Sequence, residues 1–251
     1  MQEPPKEIPQ ELLNSFTLDG TIPVHNWYFN DSKEPNKVIW GKGCIKNFVN
    51  RFTFNNVVTN KHGGESYKGA ALFHVTACKK YASHIQNKDI AVIGSESPWI
   101  EAILINAGAK SITTVEYNVP VCHHNIINAI SYIDFTVSQK KYDAIFSYSS
   151  IENSGLGRYG DPLNPNGDIE TMEHIYRSLK PGGLAFVGFP VGKDYLVWNA
   201  HRIYGEKRLK LLYLDKFKEI EWIGLDKSYM TSCPVSGNNP AYKQPLIVLL
   251  K

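Results

Sequence analysis

The sequence predicts an α/β protein: a seven-stranded, mostly parallel sheet whose last strand runs antiparallel, preceded by an N-terminal cap. Three observations carry this. Apolar runs alternate with segments of helical periodicity from Asp89 onward, the pattern of right-handed βαβ crossovers. The stretch from Asp89 to Glu116 reads strand, tight turn, helix, strand. No helical pattern separates the final two apolar runs, Phe217–Ile223 and Leu246–Leu250, so these two are free to pair antiparallel.

Taken in order, residues 1 to about 20 carry Pro4, Pro5 and Pro9 among polar residues and read as a loosely held arm. Residues 21–65 mix Trp27, Tyr28, Phe29, Trp40, Phe48, Phe52 and Phe54 with Asn, Gly and Lys, and no period dominates. They read either as a cap whose aromatics cover one edge of the core or as a lid over the active site. His62-Gly63-Gly64 is a turn signal, and Ala71, Val75, Cys78, Ala82 and Ile85 share one face of a helix expected over Lys68–Gln86. This places the boundary between cap (1–87) and α/β domain (88–251).

Ile90–Ile93 is apolar throughout, as a parallel strand buried on both faces must be. Ser97 can cap a helix and Pro98 suits its first position. Ile100, Ile103, Leu104 and Ala107 then follow at helical spacing, and Gly108 stops the helix. Ser111–Val115 is the next strand. Val119–Ser131 reads as helix, Tyr132–Phe135 as a weak strand and Ala144–Tyr148 as a clear one. A polar loop, Ser149–Gly167, leads to a helix capped by Asp168 with Met172, Ile175, Tyr176 and Leu179 on one side. Lys180-Pro181-Gly182-Gly183 ends it before the strand Leu184–Gly188. Residues 198–213 read as helix with a break at Gly205, and Pro234, Gly237, Asn238, Asn239, Pro240 and Pro245 mark a loop before the last strand.

Composition narrows the function classes. The 251 residues are 43% hydrophobic and 20% charged, as in a soluble globular protein, and can bury a full core. A net charge of +3 argues for neither nucleic acid nor an anionic membrane. Cys44, Cys78, Cys122 and Cys233 form no CxxC pair, and His123, His124 and His174 have no partner at metal spacing, so no metal is expected. No run approaches a membrane span and the start lacks a signal-peptide core, so a cytoplasmic protein is expected. Asn30-Asp31-Ser32 fits a glycosylation sequon that this compartment would leave unused.

The chemistry concentrates around Gly94. From Gly94 to Glu116 is 22 positions, the spacing a nucleotide-binding βαβ unit needs between its glycine turn and the acid that accepts ribose hydroxyls. Gly155-Leu156-Gly157-Arg158-Tyr159-Gly160 matches GxGxxG, but Asp161-Pro162 follows where a dinucleotide fingerprint needs a helix start. That loop instead sits beyond a central strand, where open α/β sheets bind ligands, and it gathers Glu152, Asn153, Arg158, Tyr159 and Asp161.

With Val92-Ile93-Gly94-Ser95 and Glu116, Tyr142-Asp143-Ala144-Ile145 with Ser149-Ser150-Ile151-Glu152, and Leu179-Lys180-Pro181-Gly182-Gly183, the chain resembles class I S-adenosylmethionine-dependent methyltransferases from about Lys88 to Lys251. Ser150-Ile151-Glu152 with Gly155–Pro162, and Trp198-Asn199-Ala200-His201-Arg202-Ile203-Tyr204-Gly205, resemble a family catalogued only as a domain of unknown function. The resemblance implies a Rossmann-like sheet, S-adenosylmethionine as cofactor, and methyl transfer to a small-molecule or glycan-like acceptor. It places Gly94, Ser95, Glu96, Glu116 and Ser149 at the cofactor. Glu152, Asp161 and His201 are then candidates to deprotonate an acceptor hydroxyl, and Asn153, Arg158, Tyr159, Asn199 and Arg202 to bind the acceptor. The chain departs from the family turn at Glu96 and Pro98, where glycines are usual; a glutamate there fills space and adds charge. A non-catalytic binding module on the same fold, and a nicotinamide-dependent oxidoreductase, are the alternatives. Antiparallel pairing of the last two strands would count against the second.

Overall fold

A computed structural model describes residues 3–31, 38–63, 67–236 and 239–251. Ser32 of the sequon, Gly64 of the expected turn, and Gly237 and Asn238 of the late loop lie outside the described residues. The sheet has seven strands: β1 (Asp89–Ile93), β2 (Ser111–Glu116), β3 (Ile127–Ser131), β4 (Tyr142–Tyr148), β5 (Leu179–Gly188), β6 (Lys218–Ile223) and β7 (Leu246–Leu250). Their spatial order is β6-β7-β5-β4-β1-β2-β3. All pairs are parallel except those of β7, which runs antiparallel to both β5 and β6. This is the seven-stranded, mostly parallel, Rossmann-like sheet the sequence predicts, with the last strand inserted antiparallel.

Alternation along the strands explains the layers. Ile90 and Val92 of β1 join one apolar cluster with Phe146, Phe186 and Val248. Ala91 and Ile93, pointing the other way, join a second with Ile145, Val187 and Ile247. The first face is covered by α2 (Lys42–Arg51), α3 (Phe54–Val58), α4 (Ala70–Lys80) and α5 (Trp99–Asn106). The second carries α6 (Tyr132–Val137), α7 (Gly167–Ser178) and the turn of helix α8 (Glu206–Leu209) with residues Lys210–Leu214 wound as a π-helix after it.

Several expectations change. Residues 121–122 and 127–131 are strands and not the helix expected over Val119–Ser131, because Ile127–Ser131 pairs with β2 along its whole length and tertiary pairing outweighs local propensity. Tyr132–Val137 is helix and not strand: the Ser131 side chain accepts from Asp134 N–H and caps it. Within 198–213, Tyr195–Trp198 and His201–Ile203 form an antiparallel pair before α8 begins. Asp168 lies inside α7, whose first residue is Gly167, and makes no cap. The expected 68–86 helix ends at Lys80, followed by a 3₁₀ turn at Ala82–His84. The N-terminal arm holds α1 (Gln10–Thr17), whose Phe16 is buried edge-on against Trp198. Residues 24–26 extend the 195–203 pair as a parallel strand, and 39–40 pair with 121–122. No helix is long and apolar enough to cross a membrane among the described residues.

Candidate functional site

The chain leaves β1 and crosses to β2 and β3 on one side, then to β4 and β5 on the other. Loops that part in opposite directions open a crevice at the carboxyl ends of the strands. Here it is a cleft lined by Ile93, Gly94, Val115, Glu116, Tyr117, Tyr132, Ser150, Ser154 and Thr171. Its empty space, open mouth included, is about 270 Å³, and only a small part of that is enclosed.

Gly94 holds φ +74, and a Cβ there would meet Ser150 Oγ at 2.0 Å. Only glycine lets the tips of β1 and β4 come so close. Glu116 closes β2. Burial pushes its carboxyl up to about 7 even though the N–H groups of Tyr117 and Ser95 donate to it. Those two N–H donors favour its charged form, which accepts from ligand hydroxyls. Tyr117 and Tyr132 pack ring to ring at 5.1 Å beside it, an aromatic wall suited to a flat heterocycle. Glu96, which the sequence placed in the path of a ligand, is exposed and does not line the cleft. Pro98 is the residue before α5, one step earlier than the first helical position expected of it. The donor set fits a nucleoside: an acid with N–H support for the ribose, aromatic faces for the base and the Ser150, Ser154 and Thr171 hydroxyls along the wall.

A second group begins one residue from Ser150. Ser149 is held at φ +56, a left-handed conformation costly for a side-chain-bearing residue. In that pose its hydroxyl donates to Glu152 Oε1 at 3.0 Å. Glu152 is 2% exposed, and its Oε2 is buried with no partner. Burial pushes this carboxyl up to about 7. Tyr67, from the segment before α4, hydrogen-bonds Ser149, and burial raises its phenol. Arg158 lies over the rings of Phe29 and Tyr159, at 4.5 and 5.0 Å, and pairs with Asp31 at 2.7 Å. Tyr159 is 41% exposed.

Other candidates of the sequence have framework contacts. Asp161 accepts from Gly155, Gly157 and Tyr159 N–H groups and so ties the glycine loop, leaving it poorly placed to take a proton. Arg202 is 3% exposed and donates to the carbonyls of Glu152, Ser154, Asn164 and Pro165 while facing Asp168 at 3.6 Å. Asn199 accepts from Phe29 N–H and donates to Phe29 and Leu156 carbonyls, fastening the N-terminal segment. Asn153 is buried within the Ile151–Asn153 turn. His201 meets Tyr242 edge-on, and burial, with Arg158 nearby, lowers its pKa to about 4, which makes it a weak base at neutral pH. The sequence reading missed Tyr67, Tyr117, Tyr132, Ser150, Ser154 and Thr171. Tyr117 had a signal, since it follows the ribose acid directly; Thr171 and Tyr67 reach the site only through tertiary packing.

The sequence matches the family described as "Caenorhabditis protein of unknown function, DUF268" over residues 87–232. No curated protein matches it. Among solved structures the chain is similar to the N-methyltransferase NodS from Bradyrhizobium japonicum WM9 in complex with S-adenosyl-L-homocysteine, at 11% identity over 74% of this chain and 89% of that one (TM-score 0.48). It is similar to a candidate S-adenosylmethionine-dependent methyltransferase from Listeria monocytogenes, at 12% identity over 72% and 99% (TM-score 0.47). A candidate sarcosine dimethylglycine methyltransferase from Galdieria sulphuraria is matched at 13% identity over 51% of this chain and half of its own length (TM-score 0.39).

Proposed function

The chain belongs to the DUF268 family of Caenorhabditis proteins of unknown function, and from that premise we propose that it transfers a methyl group from S-adenosylmethionine to a hydroxyl of a small or glycan-like acceptor. The observation that carries the reading is Glu116 beside Gly94 in a cleft at the point where the strand order reverses. Gly94, Ser95, Glu116, Tyr117 and Tyr132 would hold the cofactor. When bound, it supplies an electrophilic methyl group on a sulfonium. This chain's own residues then have two tasks. Tyr67, Arg158 and Tyr159 orient the acceptor, which supplies much of the rate of such a transfer. Glu152, two residues along from the cleft-lining Ser150, takes the hydroxyl proton by way of Ser149, whose hydroxyl donates to its Oε1: Ser149 passes its hydrogen to Glu152 and accepts the acceptor's in its place. A carboxylate whose pKa lies near 7 is matched to that task at neutral pH.

A binding module without catalysis is the second reading, and the small size of the cleft favours it. An oxidoreductase of the nicotinamide type is disfavoured by the antiparallel β6–β7 pair. The test is calorimetric titration of S-adenosylmethionine and S-adenosylhomocysteine into wild type and Glu116→Ala. Micromolar binding lost in the variant is the expected result. A folded wild type that takes up neither at millimolar ligand refutes methyl transfer and leaves the binding-module reading.

A further inference from the structure

Behind the ligand turn lies an acid the proposed reaction does not use. Glu101, on the first turn of α5, is fully buried. Its Oε1 accepts from Thr114 Oγ1 of β2 at 2.8 Å, and its Oε2 lies 2.8 Å from Ser95 Oγ. Ser95 Oγ is also 3.0 Å from the carbonyl oxygen of Ser97. A serine hydroxyl has one hydrogen, and a carbonyl oxygen can only accept. If Ser95 gives its hydrogen to Glu101, its contact with Ser97 has none; if it gives it to Ser97, its contact with Glu101 has none. Short of one hydrogen being split in a bent, bifurcated bond, both contacts are full hydrogen bonds together only when Glu101 itself brings a proton. The order is then Glu101 Oε2–H to Ser95 Oγ, and Ser95 Oγ–H to Ser97 O, with Thr114 donating to the other carboxyl oxygen.

We propose that Glu101 is a positioning residue carried as a carboxylic acid, whose proton locks the Gly94–Ser97 turn and leaves Glu116 as the single anion of the cleft. The second half follows from Ser95, which joins the two acids: its hydroxyl meets Glu101 while its N–H donates to Glu116. A fully buried carboxyl and a half-buried one joined through a single serine do not both ionise readily, because each raises the cost of charging the other. A neutral Glu101 keeps the turn bonded and lets Glu116 hold the charge that ligand hydroxyls seek. The titratable groups around Glu101 are Glu116 at the end of β2, itself raised by the exposed Glu96, and Cys122 in the 121–122 strand, itself beside Cys44. The raised pKa of Glu101, about 7 through burial, agrees with the hydrogen count.

This inference rests on the nucleoside reading of the cleft, and its test separates the two. S-adenosylhomocysteine and adenosine are titrated into wild type and Glu101→Gln from pH 6 to 9. Glutamine reproduces every bond of the protonated acid, since its amide donates to Ser95 and its carbonyl accepts from Thr114, but it cannot ionise. Wild-type affinity is expected to fall above neutrality, by up to about tenfold per pH unit for one linked proton. Glu101→Gln is expected to match wild type at pH 6 and to lack the alkaline fall. A wild-type profile flat to pH 9, a variant that keeps the fall, or a variant that does not fold overturns the proposal. Infrared difference spectra of wild type minus Glu101→Gln read the same proton without ligand: a carboxylic-acid carbonyl band at pH 6 is expected, and its absence overturns the proposal. A wild type that binds neither probe at any pH refutes the cofactor reading, and the infrared band still decides the state of Glu101.

Discussion

Replacing Glu152 by Gln should make the protein more stable at alkaline pH and leave it nearly unchanged in acid. The reason is the position of its carboxyl. Burial raises it from the ordinary 4.5 to about 7, and one of its oxygens has no partner. An acid whose folded pKa lies above its unfolded one holds its proton more tightly in the native state. Such a group costs nothing below about 4.5; its cost accumulates between there and about 7 and is constant above. A displacement from 4.5 to about 7, at roughly 1.4 kcal/mol per pH unit, bounds the cost at about 3 kcal/mol. The Ser149 bond and local relaxation reduce it, so Glu152→Gln should gain about 1–3 kcal/mol at pH 8. For a chain of this size that is a rise in Tm of roughly 3–10 °C. Urea denaturation and calorimetry of both proteins at pH 5 and pH 8 measure the difference. A gain of the same size at both pH values, or a loss at pH 8, would refute the reasoning. The same substitution should abolish methyl transfer where binding of S-adenosylhomocysteine survives, the mark of a residue kept for chemistry at the expense of stability.

Two further outcomes follow from the frame of the site. Asp168, fully buried, accepts two bonds from Arg208 and one from the Tyr204 hydroxyl and faces Arg202. Asp168→Ala leaves two guanidinium groups buried without their anion and should cost about 3–5 kcal/mol in urea denaturation. The Arg202 and Arg208 charges hold its carboxyl below the ordinary range against the effect of burial, so the wild-type contribution is present above the unfolded pKa and is lost as pH falls through the lower folded one. Gly94→Ala meets both a positive φ and the Ser150 side chain. It should weaken cofactor binding at least tenfold, about 1.4 kcal/mol, while far-ultraviolet circular dichroism stays that of wild type; unaltered affinity would mean the turn is not part of the site.

The parts of this molecule that could be read in advance are those written in contiguous residues. The β1 run, the α5 periodicity, the Glu116 position and the antiparallel end of the sheet all depend on neighbours in sequence. The errors share one cause. Ile127–Ser131 has Asn and Ser among its apolar residues and looks no more like a strand than a helix until β2 supplies its partners. Arg202 and Asn199 look like ligand-binding side chains, because a lone polar residue in a sequence gives no sign of the carbonyl it will meet across 37 to 170 positions. The cleft shows the same limit. Gly94 and Glu116 are legible as a spaced pair, whereas Thr171 and Tyr132 arrive from α7 and α6, and their place depends on how those helices pack.

The parallel strand at residues 24–26, laid beside 195–198, also bears on how the chain is made. Asn199 fastens Phe29 across a separation of 170 residues, and Phe16 and Ile22 are buried against Leu196 and Trp198. Synthesis proceeds at about 5–20 residues per second, so the first thirty residues wait roughly 10–35 seconds for the partners that cover them. During that interval their apolar side chains are exposed to the ribosome surface and to chaperones. Residues 195–199 thus shelter a segment synthesised 170 positions ahead of them, and that late closure, more than any local helix, sets the moment at which the segment is protected from aggregation.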